Sequence, residues 1–476
     1  MTAGPSGNAG EDEFDVVVIG AGPTGENAAD YAVRNGLTAA LVEAERVGGE
    51  CSYWACIPSK ALLRTGQAVA AARRLPGVRA DLDPAAVLAR RDEFVHDLDD
   101  ASQVEWAEGA GITVVRGTGR LDGERAVRVG DRVLRARHAV VVATGSVPVR
   151  PPVEGLDSVR TWGSREATNA SEVPARFGVL GGGVVGCELA QAFCRLGSRV
   201  TLVDVGSRLL PAAEPAAGER VAAAMREEGI DVRLGQGLDA VSPGPGGAVV
   251  LHLGDERVEV DALLVATGRR PNTGDLGVDT VGLEPGKPLA VDDSGLVDGV
   301  EGGWLYAAGD VTGRAPLTHM GKYAARIVGA AIAARAQGAP LDTGPWGEHS
   351  ATADHAAVPQ VVFTDPEVAS VGLTAARARD AGLPVRVVEI DIAVAGSSLH
   401  ADGYSGSATM VVDTEREVLV GATFVGQDVA ELVHAATVAV VGEVPLARLW
   451  HAVPSFPTIS EVWLRLLETY RSNAAG

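Results

Sequence analysis

The sequence predicts an α/β chain made of two Rossmann-like units, one inserted into the other, followed by an α+β region. Three observations carry that reading. A strand–glycine turn–helix–strand pattern occurs twice, at "FDVVVIGAGPTGENAADYAVRNGLTAALVEAE" and at "FGVLGGGVVGCELAQAFCRLGSRVTLVDVGSRLL". Two similar strands, "HAVVVATGSVPVRPP" and "DALLVATGRRPNT", bracket the second copy. After about Pro359, strands such as "QVVFTDPEVASVGLT" and "ATMVVDTEREVLVGATFVG" alternate with helical runs and carry no glycine fingerprint.

In the first copy a short apolar run ends at Gly20-x-Gly22-x-x-Gly25, a helical pattern follows, and a second apolar run stops at Glu43. Glycines at this spacing permit a tight turn, close approach of backbone to a pyrophosphate, and close helix packing, while the helix N-terminus faces the phosphate charge. Glu43 is placed to accept hydrogen bonds from a ribose. The second copy repeats the device with Gly181, Gly183 and Gly186, and Asp204 ends its second strand. One such fingerprint is a weak signal; two complete units, each closed by an acid, imply that the chain binds two different dinucleotides. The Ala-Thr-Gly strands read as edges where the chain crosses between domains. The expected layout is a disordered tail over 1–13, a first nucleotide domain over 14–155, an inserted one over 156–275, the first resumed over 276–348, and an interface domain over 349–476.

Bulk properties bound the function. With 476 residues and 46% hydrophobic content the chain can bury several cores. A formal charge of −21 argues against nucleic acid or an anionic membrane as partner. No apolar run approaches the ~20 residues that span a bilayer, and the opening "MTAGPSGNAGED" has no signal-peptide character. A cytoplasmic setting follows, where a close cysteine pair is catalytic or metal-binding rather than a structural staple.

Such a pair lies in "GGECSYWACIPSK", residues 48–60. A redox couple, a metal clip and two neighbouring buried thiols are all consistent with the bare spacing. No further close cysteine or histidine set completes four zinc ligands, and no metal is expected. Five residues of regular helix rise about 7.5 Å, beyond the ~7 Å that a bridge tolerates, so bridged cysteines here require a broken helix. Pro58 suits a first helical turn and puts the helix start near Ile57, with Cys56 at its N-terminus, a position that favours thiolate. Cys187 and Cys194, two turns apart on one helix, read as core residues.

The chain resembles, from about Phe14 onward, the class I flavoprotein disulfide reductases, which include dihydrolipoamide dehydrogenase, glutathione and mycothione reductases and mercuric reductase. The matching motifs are Gly20-x-Gly22-x-x-Gly25, Gly49-x-Cys51-x4-Cys56-x-Pro58-Ser59-Lys60, Ala143-Thr144-Gly145, Gly181 to Glu188, Ala266-Thr267-Gly268-Arg269-x-Pro271-Asn272, Gly309-Asp310 and Thr364-x-Pro366-Glu367. The resemblance implies an FAD domain, an inserted NAD(P) domain and a C-terminal domain that forms a homodimer. It assigns Gly20, Gly22, Gly25, Glu43, Gly49, Thr144, Gly145, Gly309 and Asp310 to FAD, and Gly181, Gly183, Gly186, Asp204, Gly268 and Arg269 to NAD(P). It pairs Lys60 with Glu188 beside the flavin, makes Cys51 and Cys56 a redox disulfide, and gives Cys51 the exchange with substrate and Cys56 the thiolate nearer the flavin. Lysine occurs elsewhere in the chain only at Lys287 and Lys322, which marks Lys60 as purposeful. Asp204 favours the free ribose hydroxyl of NADH over the phosphate of NADPH, with Arg208 as the opposing signal.

Two departures from the family pattern bear on the acceptor. Members end in His-Pro-x-x-x-Glu; here "WHAVPSFPTISEVWLRLLE" puts Phe456 where that histidine belongs, leaving Glu461 without its imidazole. His451 is the nearest substitute, or simply a helix-end residue, and His434 reads as packed core. Between the cysteines stand Tyr53 and Trp54, which either narrow access to the interchange thiol, offer a stacking surface, or pack beneath it. The implied activity is NAD(P)H-dependent, FAD-mediated reduction or oxidation of a small disulfide or dithiol. The alternative is delivery of flavin electrons to a quinone or another acceptor that is not a disulfide.

Overall fold

The computed structural model describes residues 12–472 of the chain, which divide into two compact units. The first comprises the described residues through Cys56 together with 95–147 and 269–355; the second comprises 57–94, 148–268 and the described part of 356–476. Most of the expected tail, residues 1–11, lies outside the described residues. Its last two, Asp12 and Glu13, are instead part of the strand Asp12–Ile19, opposite Leu134 and Arg135. An ion pair between Asp12 and Arg132 extends the sheet to that point, which an apolar-run criterion passes over.

In the first unit Asp12–Ile19 lies between Ala39–Glu43 and Arg132–Val142 and is parallel to both, with Ile112–Arg116 beyond Ala39–Glu43. Leu305–Ala307 runs parallel to the last part of Arg132–Val142, while Ala126–Val129 and Gly119–Leu121 continue as antiparallel strands from its first part. Alternate residues of the central strand face opposite ways, as strand geometry demands. Val16 and Val18 pack with Ala28, Ala32, Val328 and Ile332 of two helices, whereas Val17 and Ile19 pack with Val127, Leu276 and Trp304. Those helices, Pro23–Arg34 and Thr318–Ala336, approach so closely that a side chain on Gly321 would collide with Thr24, and one on Gly329 with Tyr31.

The second unit holds three sheets. Asp231–Leu234, Arg199–Asp204, Arg176–Leu180 and Ala262–Val265 are parallel, and Ala240–Pro243, Val249–Leu253 and Glu256–Val260 form an antiparallel sheet. Pro359–Val362, Glu367–Gly372, Val418–Gly426, Ser407–Asp413 and Val385–Asp391 make a five-stranded antiparallel sheet. Phe177 and Phe193, with ring centroids 4.5 Å apart, centre the core beneath the parallel sheet. Leu62 and Leu63 of the helix Cys56–Arg73, with Val87 of Pro84–Phe94, pack on Ala192 and Leu196. Arg91 is almost wholly buried and donates to the carbonyls of Thr168 and Ala170.

The helix Leu432–Val441 corrects one expectation. His434 is exposed rather than packed, because Leu432, Val433, Ala436, Ala439 and Val440 face inward while Val438 and Val441 share the outer face. An apolar outer face defeats the periodicity that normally separates core from surface. Among the described residues no helix is long and apolar enough to cross a membrane.

Glu367, in the five-stranded sheet, accepts from the Ala430 amide at 3.0 Å, and burial pushes its carboxyl from 4.5 up to about 7. The fold thus prefers the protonated acid, and this contribution is complete below pH 4.5 and lost as pH rises through 7. Glu367→Gln keeps an acceptor but cannot ionise. Urea unfolding of the variant should match the parent at pH 4 and show a gain of roughly 2 kcal/mol at pH 8.

Candidate active site

Both glycine turns come off the carboxyl end of a central parallel strand, where an open α/β sheet leaves room for a ligand. Gly20 has φ +100°, and a Cβ there would fall 2.5 Å from the carbonyl oxygen of Ala143. Gly181, φ +113°, stands in the same relation to Ala266. Each Ala-Thr-Gly segment is therefore the wall against which its unit's glycine turn closes, tied by Ala143 N to Ile19 O and by Ala266 N to Leu180 O, both at 2.8 Å. Side chains on Gly25 and Gly186 would strike the carbonyls of Gly20 and Gly181, so each helix starts in direct backbone contact with its turn. Beside Gly22 and Gly183 a Cβ would meet nothing within 4 Å, which leaves the helix N-termini open.

The two terminal acids brace these turns. Glu43 accepts from the amides of Ala21 and Glu45, each at 2.7 Å, and burial raises its carboxyl affinity for protons. Asp204 accepts from Gly182 and Gly206 in the same way. Arg208 donates to the Pro211 carbonyl at 2.8 Å. In the first unit Ser146 donates to Asp310 at 2.6 Å and receives Arg269, which thus belongs to that cluster; Thr144 donates to the Asn272 carbonyl, and the Gly145 carbonyl accepts from Asn272 N. Gly309, φ +79°, abuts Thr24, while Gly268, φ +129°, offers its carbonyl to Val149. An adenine dinucleotide fits the first set: two turns with no Cβ in the way, an open helix N-terminus and a fixed carboxylate.

The cysteine loop is laid on the first glycine turn. Gly48 N donates to Ala21 O at 2.8 Å, and Gly49, φ +58°, comes so near Gly22 that a Cβ would lie 2.7 Å from its Cα. A short helix, Gly49–Tyr53, breaks at Trp54 with φ −136°, and a new helix, Cys56–Arg73, starts at the second cysteine. This is the interruption a bridge between the two residues needs. Neither is in a disulfide, and both are half-buried. Cys56 Sγ lies 3.3 Å from Thr318 Oγ1, and the Cys51 thiol is pushed up by its hydrogen bond to Cys56 and by burial. Tyr53 is packed away, its hydroxyl directed to the Asp99 carbonyl, which leaves Trp54 as the partly exposed ring between the cysteines.

In the second unit Lys60 Nζ donates to Glu188 Oε2 at 2.6 Å, while Glu188 Oε1 accepts from Phe363 N at 2.9 Å. The Phe363 ring lies 5.0 Å from the ammonium. Sequence reading missed Phe363, whose role depends on a fold contact with no local signal. Near the C-terminus Glu461 pairs with Arg465 at 2.6 Å through one oxygen, and its other oxygen is buried without a hydrogen-bond partner. Phe456 is 76% exposed, and His451 is exposed just after the helix Leu446–Leu449. Cys187 is fully buried and Cys194 half-buried.

The sequence description of the pyridine nucleotide-disulphide oxidoreductases matches residues 14–338, and that of their dimerisation domain matches 358–466. Dihydrolipoyl dehydrogenase of Chlamydia muridarum is 32% identical over 463 residues, 94% of this chain and 95% of its own. Mercuric reductase of Streptomyces lividans is 33% identical over 489 residues, 97% of each chain. The solved structure of the HOCl-induced flavoprotein disulfide reductase RclA from Escherichia coli superposes with a TM-score of 0.81 at 26% identity, covering 96% of this chain and 99% of that one.

Glu188 is 3% exposed, so Lys60→Met leaves a buried carboxylate with a single amide donor. Urea unfolding at pH 7 should show a loss of roughly 2–3 kcal/mol, most of it restored in the Lys60→Met, Glu188→Gln double variant.

Proposed function

The chain belongs to the pyridine nucleotide-disulphide oxidoreductases, and we propose that it passes electrons from NADH through FAD to the Cys51/Cys56 pair and on to a small disulfide. The carrying observation is the thiol pair itself: two half-buried cysteines at a helix break, one at a helix N-terminus beside a threonine hydroxyl. Bound FAD supplies a two-electron exchange between nicotinamide and a disulfide. Gly20, Gly22, Gly25, Gly49 and Glu43 hold its adenosine diphosphate half, and Asp310 its ribityl chain, with Thr144, Gly145 and Gly309 shaping the backbone around it. Gly181, Gly183, Gly186 and Gly268 receive the nicotinamide dinucleotide. NADH is the favoured donor because Asp204 is fixed at its strand end, while Arg208, the nearest basic signal in sequence, is turned to a carbonyl.

The chain's own chemistry is thiol exchange. Cys51 attacks one sulfur of the substrate, and Cys56 then displaces the mixed disulfide, so two electrons leave the cysteine pair and two thiols are released. Lys60 keeps charge and position through Glu188. The chain works as a homodimer through its dimerisation domain, in a reducing compartment such as the cytoplasm.

Phe456 favours a second reading. An acceptor that needs no proton from an imidazole, such as a quinone or a soft metal ion, would not register its loss. Anaerobic titration with NADH decides between the two. The disulfide reading expects a long-wavelength absorbance band and two new titratable thiols per chain, with substrate turnover abolished by Cys51→Ser or Cys56→Ser. Quinone turnover that survives both serine variants, with no band and no new thiols, overturns it. Phe456→His should raise turnover of alkyl disulfides such as lipoamide at least tenfold; unchanged turnover removes Phe456 as the limit on those substrates.

A further inference from the structure

The proton chemistry of a thiol pair needs a charge nearby that can change, and Phe456 cannot supply one. In the first unit a lysine and a glutamate on two helices packed against one another bear electrostatically on the cysteine loop, the lysine on Cys51 and the glutamate on Tyr53. Lys322 lies one helical turn beyond Thr318, the residue whose hydroxyl stands 3.3 Å from Cys56 Sγ, on the helix Thr318–Ala336. Glu26 is in the first turn of the helix Pro23–Arg34. The close seat of Gly321 on Thr24 presses these two helices together at the level of both residues. Glu26 Oε1 is buried without a hydrogen-bond partner, whereas Lys322 is exposed. Lys322 acts electrostatically on both neighbours, favouring the ionised form of Cys51 and of Glu26.

We propose that Lys322 and Glu26 are positioning residues for the Cys51/Cys56 couple: Lys322 holds positive charge against the Cys51 sulfur as it ionises, and Glu26 decides how much of that charge the sulfur feels. The inference rests on the disulfide reading above. In the step concerned, Cys51 Sγ bonds to one substrate sulfur, the substrate S–S bond breaks, and the departing thiolate takes a proton from solvent. Cys56 Sγ then bonds to Cys51 Sγ and expels the second thiolate, which is protonated likewise. The cysteine pair is oxidised by two electrons and the substrate reduced by two. The attacking species is the Cys51 thiolate, which burial and the neighbouring Cys56 both oppose.

The charges facing the pair define the pH window. Cys51 faces Cys56, Thr318 and Lys322; Glu26 faces Lys322 and Glu43, and its charge reaches Tyr53, which also feels Asp99, Asp100 and Arg46. Burial, opposed by Lys322 and reinforced by Glu43, pushes Glu26 up to about 7. Below pH 7 Glu26 is neutral and the Lys322 charge acts on Cys51 undivided. As pH rises through 7 the Glu26 anion offsets that charge, and the support for the thiolate is withdrawn.

The test is the pH dependence of iodoacetamide alkylation of Cys51 in NADH-reduced holoenzyme, located by peptide fragmentation mass spectrometry. Lys322→Met should move the midpoint upward by about 1 pH unit, and Lys322→Arg should restore it. Glu26→Gln should move it downward and remove the inflection near neutrality. Midpoints of Lys322→Met and Glu26→Gln that coincide with the parent's overturn the inference. If the parent shows no NADH-dependent Cys51 alkylation at any pH, the disulfide reading fails instead, so the two failures are separate.

Discussion

The contact on which the rest of the molecule depends is backbone against backbone at the glycine turns. At Gly20 and Gly181 the turn meets a neighbouring strand's carbonyl at a distance no side chain permits, and at Gly25 and Gly186 the helix meets the turn. These contacts let a helix begin with only three residues between it and a strand end, which exposes its first amides and their partial positive charge. Glu43 and Asp204 then have amides of their own turns within reach. The cysteine loop inherits the same constraint, since Gly49 is seated on Gly22. One steric rule, applied repeatedly, fixes where the helix N-termini and the thiols can stand.

The parts of this arrangement that could be read in the sequence are those written in short spacing. Gly20 to Gly25, Gly181 to Gly186, the acids at 43 and 204, and Cys51 to Lys60 all encode local geometry, and the helix break between the cysteines followed from the rise per residue once the pair was taken as bridged, with Pro58 marking the new start. The Ala-Thr-Gly segments were visible as a repeat, but their purpose was not, because the partner carbonyl and glycine come together only through parallel strand pairing. The same holds for Phe363 beside Glu188, for Ser146 between Asp310 and Arg269, and for Glu26 beside Lys322. Each joins residues distant in sequence that no periodicity links. His434 failed for a different reason: an apolar face directed outward has the same period as one directed inward.

Charge in the molecule is distributed by burial. Lys60 and Glu188 form a satisfied pair, each carboxylate oxygen having its donor. Asp365 in the same unit is braced through Oδ2 by Arg74 and Arg195, and its amide donates to Gln191; its carboxyl stays below the usual range in spite of its burial, although Oδ1 has no donor. Glu461 likewise keeps one buried oxygen with no donor. Satisfied networks hold a shape; an unsatisfied acid is a cost that a protein retains only where another group has a reason to come near.

The outward apolar face of the helix Leu432–Val441, with Val453 and Phe456 beyond it, puts several large side chains into water on a region that matches a dimerisation domain. Water penalises each of them in proportion to area, and a second copy of the chain seated on this face would remove the penalty. Folding and association would then share a single free energy, with the population of native protein governed by mass action as well as by sequence. Dilution would act on such a chain as a denaturant, and abundance in the cell as a form of stabiliser.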